Sequence, residues 1–126
     1  LIAEITGTTA GSGYDQINVT GSVNLSGALT LDVTNAGTGY MLNSMIFLIL
    51  NDAVDAVTGA FSNYAQGTNV GNFGGFDWVI SYEADSSNNS FTGGNDVALR
   101  AIPEPSAALL GGLGLVGLMR RRRRAC

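Results

Sequence analysis

Histidine and lysine are absent from the 126 residues, and cysteine occurs once, as the last residue, Cys126. The absence of histidine excludes Ser-His-Asp and Cys-His nucleophiles and histidine-based zinc sites within this chain. A lone cysteine cannot form an intrachain disulfide, so the fold must form without covalent cross-links. The sequence therefore predicts no catalytic residue, no cofactor and no metal ion, and we expect a protein that is not an enzyme.

Proline is also scarce, and the two prolines, Pro103 and Pro105, both lie near the C-terminus. The preceding hundred residues are rich in Gly, Asn, Thr, Ser and Val, a composition that favours turns and short strands over helices. That length is sufficient for one domain with a hydrophobic core.

Positive charge is nearly missing from residues 1–101. The chain has ten carboxylates, of which only Glu104 lies beyond this range, whereas Arg100 is the one arginine within it. The other five arginines are consecutive, at 120–124. An acidic body without a basic face argues against a nucleic-acid partner.

Several segments alternate apolar and polar residues, which is the pattern of a strand with one buried face. Residues 16–20 and 29–33 show it, and residues 76–82 place Phe76, Trp78, Ile80 and Tyr82 on one side. We expect this aromatic face to pack in the core; an exposed sugar-stacking platform is the alternative.

Two further strands and one loop complete the prediction. The unbroken apolar run 45–50 is typical of a strand covered on both faces, and residues 96–102 form a last strand after the turn 93–95. The Gly/Asn-rich stretch 67–75 is predicted to be a loop. The sequence thus predicts an all-β fold, either a sandwich or a solenoid of stacked rungs.

The order of strand and turn segments in the body resembles the C-terminal end of autotransporter-type β-helix passenger repeats. The segments that carry this resemblance are 13–21, 25–31, 46–50, 57–61, 78–82 and 93–99. The resemblance implies the final rungs of a right-handed parallel β-helix. A β-sandwich remains the alternative that the residues leave open.

Residues 102–126 differ from the body and are predicted to be a separate tail. A Pro-Glu-Pro linker (102–106) is followed by an apolar segment (107–119) and the arginine block 120–124. The linker should be extended, because proline cannot donate a backbone hydrogen bond and disfavours the helical conformation of the residue before it. The apolar segment predicts a single hydrophobic helix of about 20 Å, short for a bilayer unless flanking residues contribute. The arginines predict a cytoplasmic end, with residues 1–101 outside.

The order of these parts resembles the PEP-CTERM sorting signal. Pro103, Glu104 and Pro105 correspond to its motif, and the basic end corresponds to Arg120, Arg121, Arg122, Arg123 and Arg124. The resemblance implies an exported bacterial protein, held in the inner membrane before processing by exosortase, a membrane cysteine protease-transpeptidase. It also implies a place at the cell surface or in the extracellular matrix, in association with polysaccharide and biofilm. A plain membrane anchor with an accidental Pro-Glu-Pro is the simpler alternative.

The leading expectation is therefore an exported structural or adhesive protein. A carbohydrate-binding module of a larger secreted protein is the alternative, and an enzyme domain upstream is a third. Because the chain begins at Leu1 without a leader-like run, we expect a signal peptide, if one exists, to lie upstream.

Two acidic features are candidates for an ion site or a catalytic site. Asp52 and Asp55 lie three residues apart, and Gly93-Gly94-Asn95-Asp96 is similar to one incomplete calcium-binding β-roll repeat. Solvated turn residues and a tight turn before the last strand are the favoured interpretations.

Overall fold

The computed structural model describes residues 1–35, 37–52 and 54–104. Within these ranges the chain forms seven strands and no helix, which confirms the all-β prediction. The strands are β1 (Ile2–Ile5), β2 (Ile17–Val19), β3 (Asp32–Asn35), β4 (Met45–Asn51), β5 (Asn69–Phe73), β6 (Phe76–Ala84) and β7 (Asp96–Ile102).

These strands form two open sheets that share one core. β1 and β3 make a two-stranded parallel sheet, and the other five strands are ordered β2-β4-β7-β6-β5. Ala3 and Ile5 from the small sheet belong to the same buried cluster as Ile46, Trp78 and Leu99 from the large one. The arrangement is sandwich-like, so the alternative fold prediction fits.

The parallel β-helix implied by the autotransporter resemblance is not supported. Among the described residues, parallel pairing is confined to β1 with β3, β2 with β4, and two isolated bridges, Asn24 with Thr58 and Ala10 with Tyr14. From β4 onward every neighbouring pair in the large sheet is antiparallel. The connections explain this difference, because a two-residue turn between β5 and β6 permits only an antiparallel hairpin, whereas parallel strands need a long crossover.

The run 45–50 forms a strand that is buried on both faces, as the sequence predicts. Ile46, Leu48 and Ile49 lie in the main core, whereas Phe47 packs with Ala98 on the opposite face. The pairing of β4 with β7 shifts between Phe47 and Ile49, and this bulge allows two consecutive residues to face the same side.

The prediction of a loop at 67–75 is wrong, because this range contains β5. Asn69–Phe73 pairs with β6, and Gly74-Gly75 forms the turn. The Gly/Asn-rich composition predicts a loop because local propensity takes no account of neighbouring strands. In the structure β6 supplies the hydrogen-bond partners that make this segment an edge strand.

The hydrophobic helix predicted at 107–119 lies outside the described residues. Among the residues that the structure does describe, no helix has the length and apolar character needed to cross a membrane.

Candidate functional site

The candidate site begins at the end of β7, which lies between β4 and β6 in the large sheet. The backbone of Ala101 is bonded to the loop before β4: its N–H donates to Ser44 O at 2.9 Å, and its carbonyl accepts from Asn43 N at 3.0 Å. On the other side Trp78 pairs with Ala101 and Asp77 pairs with Ile102. Ala101 is therefore held from both sides, and Ile102 is paired with β6.

The first two residues of the Pro-Glu-Pro unit follow this strand directly. Pro103 has no N–H to extend the ladder, which agrees with the end of β7 at Ile102. The Pro103 side chain is exposed, whereas Glu104 is half-buried. An exposed proline thus directly follows the last residue of β7.

Glu104 contacts the folded body through Asn72. Asn72 Nδ2 donates to Glu104 Oε1 at 2.9 Å and to Asp77 Oδ1 at 2.8 Å. Asn72 of β5 pairs with Asp77 of β6, which pairs with Ile102 of β7, so these three residues lie side by side across the sheet. This register brings Glu104, two residues after Ile102, to Asn72, which is 32 residues away in the chain. Sequence reasoning missed Asn72 and Asp77, because only the strand register brings them to the tail.

The other predicted site residues fall on the remainder of the tail. Pro105 and the arginines Arg120 to Arg124 lie outside the described residues. The division of the chain into a body of 1–101 and a tail of 102–126 therefore stays a prediction.

Comparison with protein families identifies the tail. Residues 101–124 match the PEP-CTERM protein-sorting motif. The PEP-CTERM match covers 24 of the 126 residues and starts inside β7, one residue before the strand ends. It implies an exported protein that is targeted to exosortase and processed at the membrane.

The body has no comparable assignment. Neither curated proteins nor solved structures gave a significant match to the chain.

Outside the PEP-CTERM segment, the structure brings the two acidic features together. Asn95 Nδ2 donates to the carbonyl oxygens of Asp52 at 3.1 Å and Asp55 at 3.0 Å. Both Asp96 carboxylate oxygens accept backbone amides, Oδ1 from Asn51 and Oδ2 from Ser86, each at 2.9 Å. These oxygens join the start of β7 to the end of β4 and to the start of the 85–95 loop. The described residues include no group of three acidic, His or Cys side chains suited to a metal ion.

Asp85 is the first residue of the same loop and pairs with Ser90 across the turn 86–89. Its carboxylate accepts from Ser87 Oγ at 2.6 Å, Ser87 N at 3.0 Å and Asn88 Nδ2 at 2.6 Å. The side-chain bonds from Ser87 and Asn88 lower the pKa of Asp85, because they stabilise the carboxylate. An aspartate that accepts hydrogen bonds from the next residues stabilises a turn, and these bonds agree with the interpretation of the acidic segments as turn residues.

Trp78 does not form a sugar-stacking platform. Its side chain is 0% exposed, and its indole Nε1 donates to Phe73 O at 3.0 Å. The ring stacks on Phe73 with centroids 4.8 Å apart and meets Tyr40 edge-on at 5.0 Å. The core interpretation of the aromatic face is confirmed, and the carbohydrate-binding alternative loses the surface on which it depended.

Proposed function

We propose that this chain is a non-enzymatic exported protein with a structural or adhesive role, whose β-rich body is processed by exosortase at the PEP-CTERM segment. The observation that carries the proposal is the position of the matched segment, which starts at the end of the central strand β7. Processing there removes residues that follow the sheet and leaves all seven strands on the product.

The topology in this proposal follows from the charge distribution. The arginine block remains on the cytoplasmic side of the inner membrane, and residues 107–119 cross as one helix before processing. The acidic body then lies outside the cytoplasm, from where it passes to the cell surface or the extracellular matrix. Association with polysaccharide in that matrix belongs to the proposal and would use surfaces other than the buried face of Trp78.

A non-enzymatic role is supported by the chemistry of the body. The chain has no histidine, and the Asp52 carboxylate accepts the backbone amide of Gly21 at 3.0 Å. A carboxylate that accepts a hydrogen bond from a distant backbone amide stabilises the fold, which is a structural role.

The proposal is tested by expressing the tagged chain in a host with exosortase and in the same host without it. We expect the wild-type product to lose mass at its C-terminus and to leave the membrane fraction only when exosortase is present. Replacement of Pro103, Glu104 and Pro105 by alanine should abolish this change. Asn88→Ala, in the exposed 85–90 turn, is a control that should be processed like wild type.

A full-length, cytosolic product in both hosts would overturn the proposal. Replacing Arg120 to Arg124 with glutamine tests the topology separately, because loss of the basic end should reduce correct insertion before any processing occurs.

A further inference from the structure

The side-chain amide of Asn72 lies between two carboxylates. Its Nδ2 has its two N–H groups directed to Asp77 Oδ1 at 2.8 Å and Glu104 Oε1 at 2.9 Å. Both carboxylate oxygens are within hydrogen-bond distance of one nitrogen, so Asp77 and Glu104 face each other across it. Removing the amide would leave two like charges opposed, with Asp77 only 8% exposed.

This contact makes Glu104 less accessible than the free linker that the sequence predicts at 102–106. Ile102 is still paired in β7, so Pro103 is the only residue between the sheet and the bound Glu104. An enzyme that grips an extended segment needs several residues free of the fold on each side of the bond that it cleaves. The bond to Asn72 places Glu104 against the β5–β6 hairpin.

We propose that Asn72 is a positioning residue for processing: it holds Glu104 on the folded body, and exosortase acts only on the state in which this contact is open. This inference rests on the proposed function. Asn72 does not touch the reacting bond, and its effect is to lower the fraction of chains whose motif is free. Processing is thereby slower for the wild-type body than for one that lacks the amide.

The expected size of the effect follows from the strength of one hydrogen bond. A partly exposed amide-to-carboxylate bond changes the open fraction by roughly three- to tenfold. Asn72→Ala should therefore be processed roughly three to ten times faster than wild type. Asn72→Gln retains the amide donor and should return the rate toward wild type.

The experiment uses the full chain in membranes with exosortase and, in parallel, in micelles without it. In membranes the rate of C-terminal mass loss is measured for wild type, Asn72→Ala, Asn72→Gln and the control Asn18→Ala. Asn18 is an exposed asparagine in β2, at the opposite edge of the large sheet. In micelles the side-chain carboxyl carbons of Glu4, Glu83 and Glu104 are followed by NMR, because they are the three glutamates of the chain.

We expect Asn72→Ala to move the Glu104 carboxyl signal alone and to accelerate processing, with Asn18→Ala unchanged in both assays. An unmoved Glu104 signal would overturn the contact. A moved signal with a wild-type processing rate would overturn the positioning role. Equal acceleration in Asn72→Gln would also overturn it, because a general loosening of the hairpin would then explain the rate. If no variant is processed, the proposed function fails and the positioning role fails with it, while the carboxyl signal still reports whether the contact exists.

Discussion

At the residue scale, the large aromatic side chains of β6 are used for packing. Trp78, Ile80 and Tyr82 all lie in the main core, with Phe76 packed against it. Alternation along the sequence places these residues on one face, since side chains of a strand point to opposite sides in turn. Alternation does not say whether that face is covered, and only the opposing sheet and loops decide it.

Trp78→Phe should destabilise the fold by about 1–3 kcal/mol, because it removes buried ring area and the indole donor to Phe73 O. Urea unfolding of wild type and variant measures this difference. Since Trp78 is the one tryptophan, its fluorescence should be blue-shifted and insensitive to added polysaccharide. A polysaccharide-dependent shift would contradict the buried position.

Tyr82 makes the stability sensitive to alkaline pH. Its hydroxyl donates to Tyr64 O at 2.6 Å and accepts from Phe61 N at 3.1 Å. Burial raises the pKa of Tyr82, and the bond from Phe61 N offsets part of that shift. The folded state therefore keeps the Tyr82 proton at pH values where the unfolded state has lost it. The contribution of Tyr82 to the free energy of unfolding is fully present below about pH 10 and decreases as the pH rises above that value.

We expect the free energy of unfolding of the wild type to decrease above about pH 10, and the decrease to be shallower in Tyr82→Phe. At neutral pH this variant should lose about 1–3 kcal/mol, because Phe61 N is left without its acceptor. Denaturant titrations at several pH values check both effects. Parallel pH curves for the two proteins would exclude Tyr82 as the group responsible.

At the scale of elements, the β5–β6 hairpin depends on its glycine turn. Gly74 has φ +61°, and a Cβ at this position would collide with the ring of Tyr40. Gly75 has φ +85° and open space around it. A side chain at Gly74 would therefore meet both backbone strain and a steric clash, whereas one at Gly75 would meet backbone strain alone.

Gly74→Ala should therefore cost about 2–4 kcal/mol, and Gly75→Ala only about 1 kcal/mol, when thermal unfolding of the two variants is compared. The larger loss arises because Tyr40 also contacts Trp78 and Phe73, so its ring cannot move without disturbing the core. Equal losses would show that strain alone governs the turn.

At the scale of the whole molecule, the body is an acidic surface with few cations to balance it. Between residues 1 and 104 the chain carries ten carboxylates and one arginine, and the Arg100 guanidinium lies over the ring of Phe91 at 4.3 Å. Repulsion between these carboxylates opposes folding, and salt screens it.

Raising NaCl from about 10 mM to about 0.5 M should increase Tm by roughly 3–6 °C. CaCl2 at the same ionic strength should give a similar increase, because the Asp52 and Asp55 carbonyls are occupied by the Asn95 amide. Calorimetry in the two salts makes this comparison. A saturating rise at micromolar calcium would instead reveal a specific site.

The sequence by itself determined the features that depend on residue type and local order. The lack of histidine excluded several catalytic sites, the alternation at 76–82 and the turn before 96–102 predicted two of the central strands, and Pro103 to Arg124 marked the sorting segment. These follow from chemistry within a few neighbouring residues. The tertiary structure decided the rest: the sandwich-like sheets, the edge strand β5 within the Gly/Asn-rich range 67–75, and the bond from Asn72 to Glu104. Each of these depends on which strands pair and in which register, and local propensity does not specify either.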